Sequence, residues 1–120
     1  LILPEFRIYC SGIAGSLCGV AVGTAYAVKQ QGSSVKVHHF CGEMASCMGI
    51  FRESVEYAHN YDLPITFYVE DNGVSVTTNS KETWRYDNLW FINTKFHNKI
   101  IYYSYKNGYN HSGIGSRVAF

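Results

Sequence analysis

The chain has 120 residues, 47% of them hydrophobic and 16% charged, with a formal net charge of +1. That is enough for one domain with a modest core and too little for two, and it is too apolar for a disordered or acidic-tail protein. A near-neutral balance without any Lys/Arg cluster lacks the basic footprint that nucleic-acid binding needs.

Leu1 to Cys10 reads as an incoming extended segment, because Pro4 excludes a helix there. Pro4 and Glu5 also break any signal-peptide core, so no signal peptide is expected, and the non-Met start reads as a fragment or a processed chain. Ser11 is placed to cap a helix over Gly12 to Gln31. That stretch is rich in small residues: Gly12, Ala14, Gly15, Gly19, Ala21, Gly23, Ala25 and Ala27. Each glycine costs a helix about 1 kcal/mol relative to alanine, so close approach of backbone to backbone, or of backbone to a cofactor, is expected to offset it. Both remain open on these residues alone. The apolar run Ile13 to Val28 is broken by Ser16, Gly19, Gly23 and Thr24 and reads as a core helix, not a membrane span. Gly32-Ser33-Ser34 ends it.

Val35 to Phe40 is expected to be a buried strand, with Val35, Val37 and His39 on one face and Lys36, His38 and Phe40 on the other. His38 and His39 therefore point apart and cannot share an ion. A polar turn follows, then a helix from about Met48 to Tyr61 with Ile50, Phe51, Ser54, Val55 and Ala58 on one face. Arg52 and Glu56 form an i, i+4 pair on its surface. Asp62-Leu63-Pro64 stops the helix, since the residue before proline is pushed out of the α region. Ile65 to Val69 is a short continuous apolar strand, the kind found in parallel sheets covered on both faces. A second polar turn carries Asp71, Asn72 and Gly73.

Ser80 opens another short helix through a loosely matched capping box. Asp87 to His97 is irregular or a short helix, and Lys99 to Lys106 is a third strand. Asn107-Gly108 and Ser112-Gly113 are turn signals, and Arg117 to Phe120 is a last extended piece. His111, within a turn, reads as a surface residue. The four cysteines, Cys10, Cys18, Cys41 and Cys47, include no C-x-x-C pair and read as reduced, buried thiols of a cytoplasmic protein. Aromatic residues crowd Tyr86 to Tyr109 beyond what so small a core buries, which marks an interface and an oligomer. The whole reads as an α/β domain, 1–120, built on a mostly parallel sheet with helices on both faces.

Two polar turns thus follow two strands that a helical crossover holds side by side. In an open α/β sheet, ligands bind outside the carboxyl ends of adjacent parallel strands, so Glu43 and Asn72 are expected to converge on one metal or phosphate. Taken singly, Glu43 also reads as a helix-capping carboxylate and Asn72 as a turn residue ahead of Gly73.

Gly42-Glu43-Met44-Ala45, Gly49, Glu53-Ser54, Leu63-Pro64 and Glu70-Asp71-Asn72 follow, without a gap, a pattern that resembles the magnesium-diphosphate motif of thiamine-diphosphate enzymes. In that motif Gly-Asp-Gly ends one strand, and an Asn ends the next after just under thirty residues. The likeness runs from about Gly12 to Thr78, and is nearest to the alpha subunit of the decarboxylating dehydrogenase component of 2-oxo-acid dehydrogenase complexes. Glu43 stands where the family has Asp, and Met44 where it has its second glycine. The resemblance implies a thiamine-diphosphate-binding fold in partial form. It implies magnesium held by the Glu43 carboxylate, the Asn72 amide oxygen and the Val74 carbonyl. Gly42, Met44 and Ala45 would present backbone to the phosphates, and Gly12 and Ala14 to the aminopyrimidine ring.

The same resemblance implies decarboxylation of a 2-oxo acid with the cofactor as electron sink, in a homo- or hetero-oligomer. A pyrimidine-domain, beta-like subunit would supply the Glu that protonates the cofactor, so the chain is not expected to act alone. The alternatives are a transketolase-type two-carbon transfer enzyme, and a degenerate, truncated domain that keeps fold and interface without cofactor. No nucleic acid and no membrane are expected as partners.

Overall fold

A computed structural model of the chain describes residues 2–106. The expected turns at Asn107-Gly108 and Ser112-Gly113, the surface His111 and the extended Arg117 to Phe120 lie outside them.

The incoming segment is extended only in part. β1 (Ile2–Leu3) and β2 (Ile8–Tyr9) pair antiparallel around a 3-10 turn at Pro4–Phe6. Proline at the start of that turn lacks an N–H that the turn would leave unsatisfied anyway. The long first helix is shorter than its composition suggests: α1 spans Cys18–Gln30, and residues 12–17 are turns. Ser11 caps a turn instead of the helix, its Oγ accepting from Ile13 N at 3.1 Å and from Ser16 Oγ at 2.8 Å. Gly15 breaks the helix. It sits at φ +73°, and a Cβ there would lie 2.9 Å from Ile50 Cγ2. Gly12, Gly19 and Gly23 have nothing within 4 Å of an added Cβ, so among these four glycines the close approach is confined to Gly15. The C-terminus ends as expected. Gly32 at φ +62° donates to Lys29 O and Ser33 N to Val28 O, a Schellman closure.

β3 (Val37–Gly42) runs two residues later than read from the sequence, because it pairs with β4 (Ile65–Asp71) in parallel register from Val37↔Ile65 to Gly42↔Glu70. β4 also pairs in parallel with β7 (Ile100–Ser104), giving the order β3-β4-β7. Between β3 and β4 the chain makes a single-turn α2 (Glu43–Ser46) and then α3 (Gly49–Asn60). Beyond β4, a two-stranded hairpin of β5 (Val74–Ser75) and β6 (Thr78–Asn79) leads to α4 (Ser80–Trp84). The residue capping α4 is Asn79, which accepts from Glu82 N at 3.0 Å, one position before the expected Ser80. The aromatic stretch after Asp87 is mostly turns, with a 3-10 helix at Lys95–Lys99.

The core lies between the sheet and α1 and α3. Phe51 of α3 and Phe67 of β4 are fully buried, with rings edge-to-face at 5.4 Å. Val55, Ala58, Leu63, Ile65, Val69, Leu89 and Phe91 close around them. Burying each Phe contributes about 1.5–3 kcal/mol. Cys18 of α1 lies 3.4 Å from His39 Nε2, and the His39 ring also touches Phe51, so both helices share one face of the sheet. His38 points the other way and pairs with Tyr68 OH at 3.1 Å, as strand alternation requires.

The α/β class and parallel sheet are as expected. Among the described residues, however, the helices cover one face. The other carries Phe40, Tyr68, Ile101 and Tyr103, with Phe40 stacked on Tyr68 at 4.4 Å. β4 accordingly alternates between buried and half-buried residues, where a strand covered on both faces was expected.

Three further expectations are corrected. Ile50 is exposed, because α3 has just begun there and its inward face starts at Phe51. Arg52 lies over the Trp90 ring at 5.2 Å, and among the described residues the ion pair is Lys99–Asp62 at 3.1 Å, not Arg52–Glu56. Cys10 is exposed, whereas Cys18 is buried and Cys41 and Cys47 are half-buried thiols. No described helix is long and apolar enough to cross a membrane. The crowded aromatics divide: Phe91 and Phe96 enter the core, while Tyr103 and Tyr105 are exposed.

Candidate functional site

Two parallel neighbours joined by a helix end at the same edge of the sheet. β3 closes on Gly42, whose extended backbone turns the chain into α2, so Glu43 is the first residue past the strand. β4 closes on Asp71, and Asn72 is the first residue past that strand. α2 lies against β4 and β5, so Glu43 and the 72–74 turn occupy one end of the fold.

Glu43 is not solvated. It is 2% exposed, and its Oε1 accepts a hydrogen bond from Ser80 Oγ, itself fully buried. Ser46 Oγ donates to the Glu43 carbonyl at 2.6 Å and steadies the single turn of α2. The 72–74 turn is held by two side chains in succession. Asp71 Oδ1 accepts from Gly73 N at 2.8 Å, and Asn72 Oδ1 accepts from Val74 N at 3.0 Å. These are overlapping Asx turns, the local reason such residues follow a strand here. Asp71 Oδ2 takes the Tyr102 hydroxyl at 2.7 Å across β7. Ser80 N donates to Gly73 O at 3.1 Å and ties the start of α4 to the same turn.

Acidity in this region is shaped by burial and by its carboxylates. Burial, followed by the charge of Asp71, pushes the Tyr86 phenol up to about 12. Tyr102 is likewise pushed up to about 12, by burial and by its hydrogen bond to Asp71. Burial pushes Cys41 up to about 12 and raises Cys47, so both thiols stay protonated at neutral pH. The Tyr86 hydroxyl is buried and has no hydrogen-bond partner among the described residues.

Of the residues predicted from the sequence, Gly42, Glu43, Met44, Ala45, Asn72 and Val74 gather at this end. Gly12 and Ala14 lie in the exposed turns ahead of α1, whose Gly15 packs on Met48 and Ile50 at the start of α3. Met44 adopts no positive φ, and its sulfur accepts from the Trp84 indole N–H, so the side chain turns toward α4. The sequence does not mark Ser80, Tyr86 or Tyr102 as site residues. Their contacts span 37 residues for Ser80–Glu43 and 31 for Tyr102–Asp71, which leaves no local sequence signal.

The parallel pairing of β3, β4 and β7 with helices between the strands places the chain in the open-sheet α/β class, whose ligands bind beyond the carboxyl ends of the strands. The chain belongs to the dehydrogenase E1 component family, whose model matches residues 6–91. It is 36% identical over 76 residues to the alpha subunit of acetoin:2,6-dichlorophenolindophenol oxidoreductase from Cupriavidus necator, covering 63% of this chain and 23% of that one. It is 32% identical over 69 residues to the alpha subunit of human mitochondrial 2-oxoisovalerate dehydrogenase, covering 58% and 16%. With the pyruvate dehydrogenase E1 component subunit alpha of Staphylococcus aureus it shares 31% over 64 residues, covering 52% and 17%. The matches thus span about a quarter or less of these relatives, and the likeness to alpha subunits read from the sequence is borne out.

Proposed function

We propose that the chain forms the diphosphate-binding part of an alpha-like subunit that decarboxylates a 2-oxo acid with thiamine diphosphate and magnesium. It would act in an oligomer with a beta-like subunit that supplies the pyrimidine domain. The observation that carries this reading is the parallel pairing of β3 and β4 in register, which sets Glu43 and Asn72 at the same sheet edge.

The residues fit the group. A carboxylate, an amide oxygen and a backbone carbonyl are the hard oxygen donors that magnesium prefers. The unpartnered Tyr86 hydroxyl, pushed toward its neutral form, is a donor suited to an anionic oxygen. Glu43, Asn72 and the Val74 carbonyl would hold the cation. The backbone of Gly42, Met44 and Ala45 would face the phosphates, and that of Gly12 and Ala14 the aminopyrimidine ring. When bound, the cofactor supplies the electron sink for loss of carbon dioxide. The chain's own share is to neutralise and orient the diphosphate. Burial of Glu43 serves this, because a charge held out of water acts more strongly on a nearby cation.

Calorimetric titration of thiamine diphosphate with and without magnesium, into the chain alone and with a candidate beta-like subunit, tests the reading. Magnesium-dependent binding supports it. No heat in either setting leaves a domain that keeps the fold without cofactor.

A further inference from the structure

The geometry points to Ser80 as a positioning residue for Glu43, one that fixes the carboxylate for a cation shared with Asn72; this rests on the cation reading above. Ser80 is fully buried and uses both of its donors on the two strand tips. Its hydroxyl goes to Glu43 Oε1, and its N–H goes to the carbonyl of Gly73, between Asn72 and Val74. One residue therefore links the turn after β4 to the acid after β3. Glutamate carries one more rotatable bond than aspartate, and anchoring one carboxylate oxygen removes that freedom. Among the described residues, Oε2 is the oxygen left to meet a metal. Magnesium demands near-ideal geometry, and partners that orient a ligand commonly govern affinity about 10–100-fold. Ser80 touches no reacting atom. It acts through Glu43.

The test is manganese binding to the chain with thiamine diphosphate, followed through the resonance signal of free manganese, for wild type, Ser80→Ala and Ser80→Thr. Ser80→Ala is expected to weaken manganese about 10–100-fold, while Ser80→Thr, which keeps the hydroxyl, recovers most of the affinity. Thermal melts without metal report folding separately. If Ser80→Ala does not fold, Ser80→Cys, similar in shape but a poor donor, is expected to bind severalfold more weakly than wild type. Wild-type affinity in a folded Ser80→Ala or Ser80→Cys overturns the role of Ser80 alone. Absence of manganese binding in the wild-type chain, both alone and with a candidate beta-like subunit, overturns the cation reading itself, and the role of Ser80 with it.

Discussion

Tyr102 of β7 donates its hydroxyl to Asp71 Oδ2 at 2.7 Å, while Gly73 N holds the other oxygen of the same carboxylate at 2.8 Å. Asp71 is 8% exposed, so each of its oxygens needs a donor. Tyr102→Phe keeps the ring against Phe91 and leaves Oδ2 unpaired. It is expected to cost about 1–3 kcal/mol in urea unfolding. Unchanged stability would mean that water replaces the phenol.

Phe51 joins the layers, with its ring against Phe67, His39 and Trp90. Phe51→Ala is expected to destabilise by about 3–5 kcal/mol. For a domain of this size that approaches the total, so far-UV circular dichroism should report a chain partly unfolded at room temperature.

Burial holds His39 below its ordinary value of 6.5. In the pH range beneath 6.5 the unfolded chain binds a proton at His39 that the folded chain does not. Stability contributed by this group is therefore full above that value and falls as the pH drops through it. The groups packed on the ring are the neutral Cys18 thiol and the rings of Phe51 and Phe67. Thermal melts from about pH 7 to about pH 5 should show the decline, and His39→Asn should flatten it.

Val76, in the turn between β5 and β6, sits at φ +60°, a left-handed conformation strained for a β-branched residue. Val76→Gly is expected to raise stability by about 1 kcal/mol, read as a higher melting temperature. A lower one would show that the valine side chain contributes more than its strain costs.

Asn72 has two tasks in this account. Its Oδ1 holds the turn through Val74 N, and the same amide oxygen is assigned to the cation. Asn72→Ala should lose the magnesium-dependent rise in melting temperature and about 0.5–1.5 kcal/mol of metal-free stability. Asn72→Asp retains an acceptor oxygen for both tasks and should keep the magnesium response. A magnesium response in Asn72→Ala equal to that of wild type removes Asn72 from the ligand set.

Much of this architecture was legible because its signals are local. The inward face of α3 follows from Phe51, Ser54, Val55 and Ala58 at helical spacing, and its stop from Asp62-Leu63-Pro64. The opposite facing of His38 and His39 follows from strand geometry alone. What the sequence hid lies in contacts between distant residues. β3 runs on to Gly42 because β4 offers it partners, although Cys41-Gly42 reads locally as a turn. α1 starts at Cys18 because Gly15 must fit against Ile50, and Ser80 reads as a cap until Glu43 is folded against it.

The most direct test is diffraction from crystals grown with thiamine diphosphate and manganese in place of magnesium. One anomalous peak is expected, bounded by the Glu43 carboxylate, the Asn72 amide oxygen and the Val74 carbonyl, at distances near the ~2.0–2.1 Å of a magnesium-type site. A peak that Glu43 and Asn72 do not share, or none beside a bound cofactor, would contradict the cation reading.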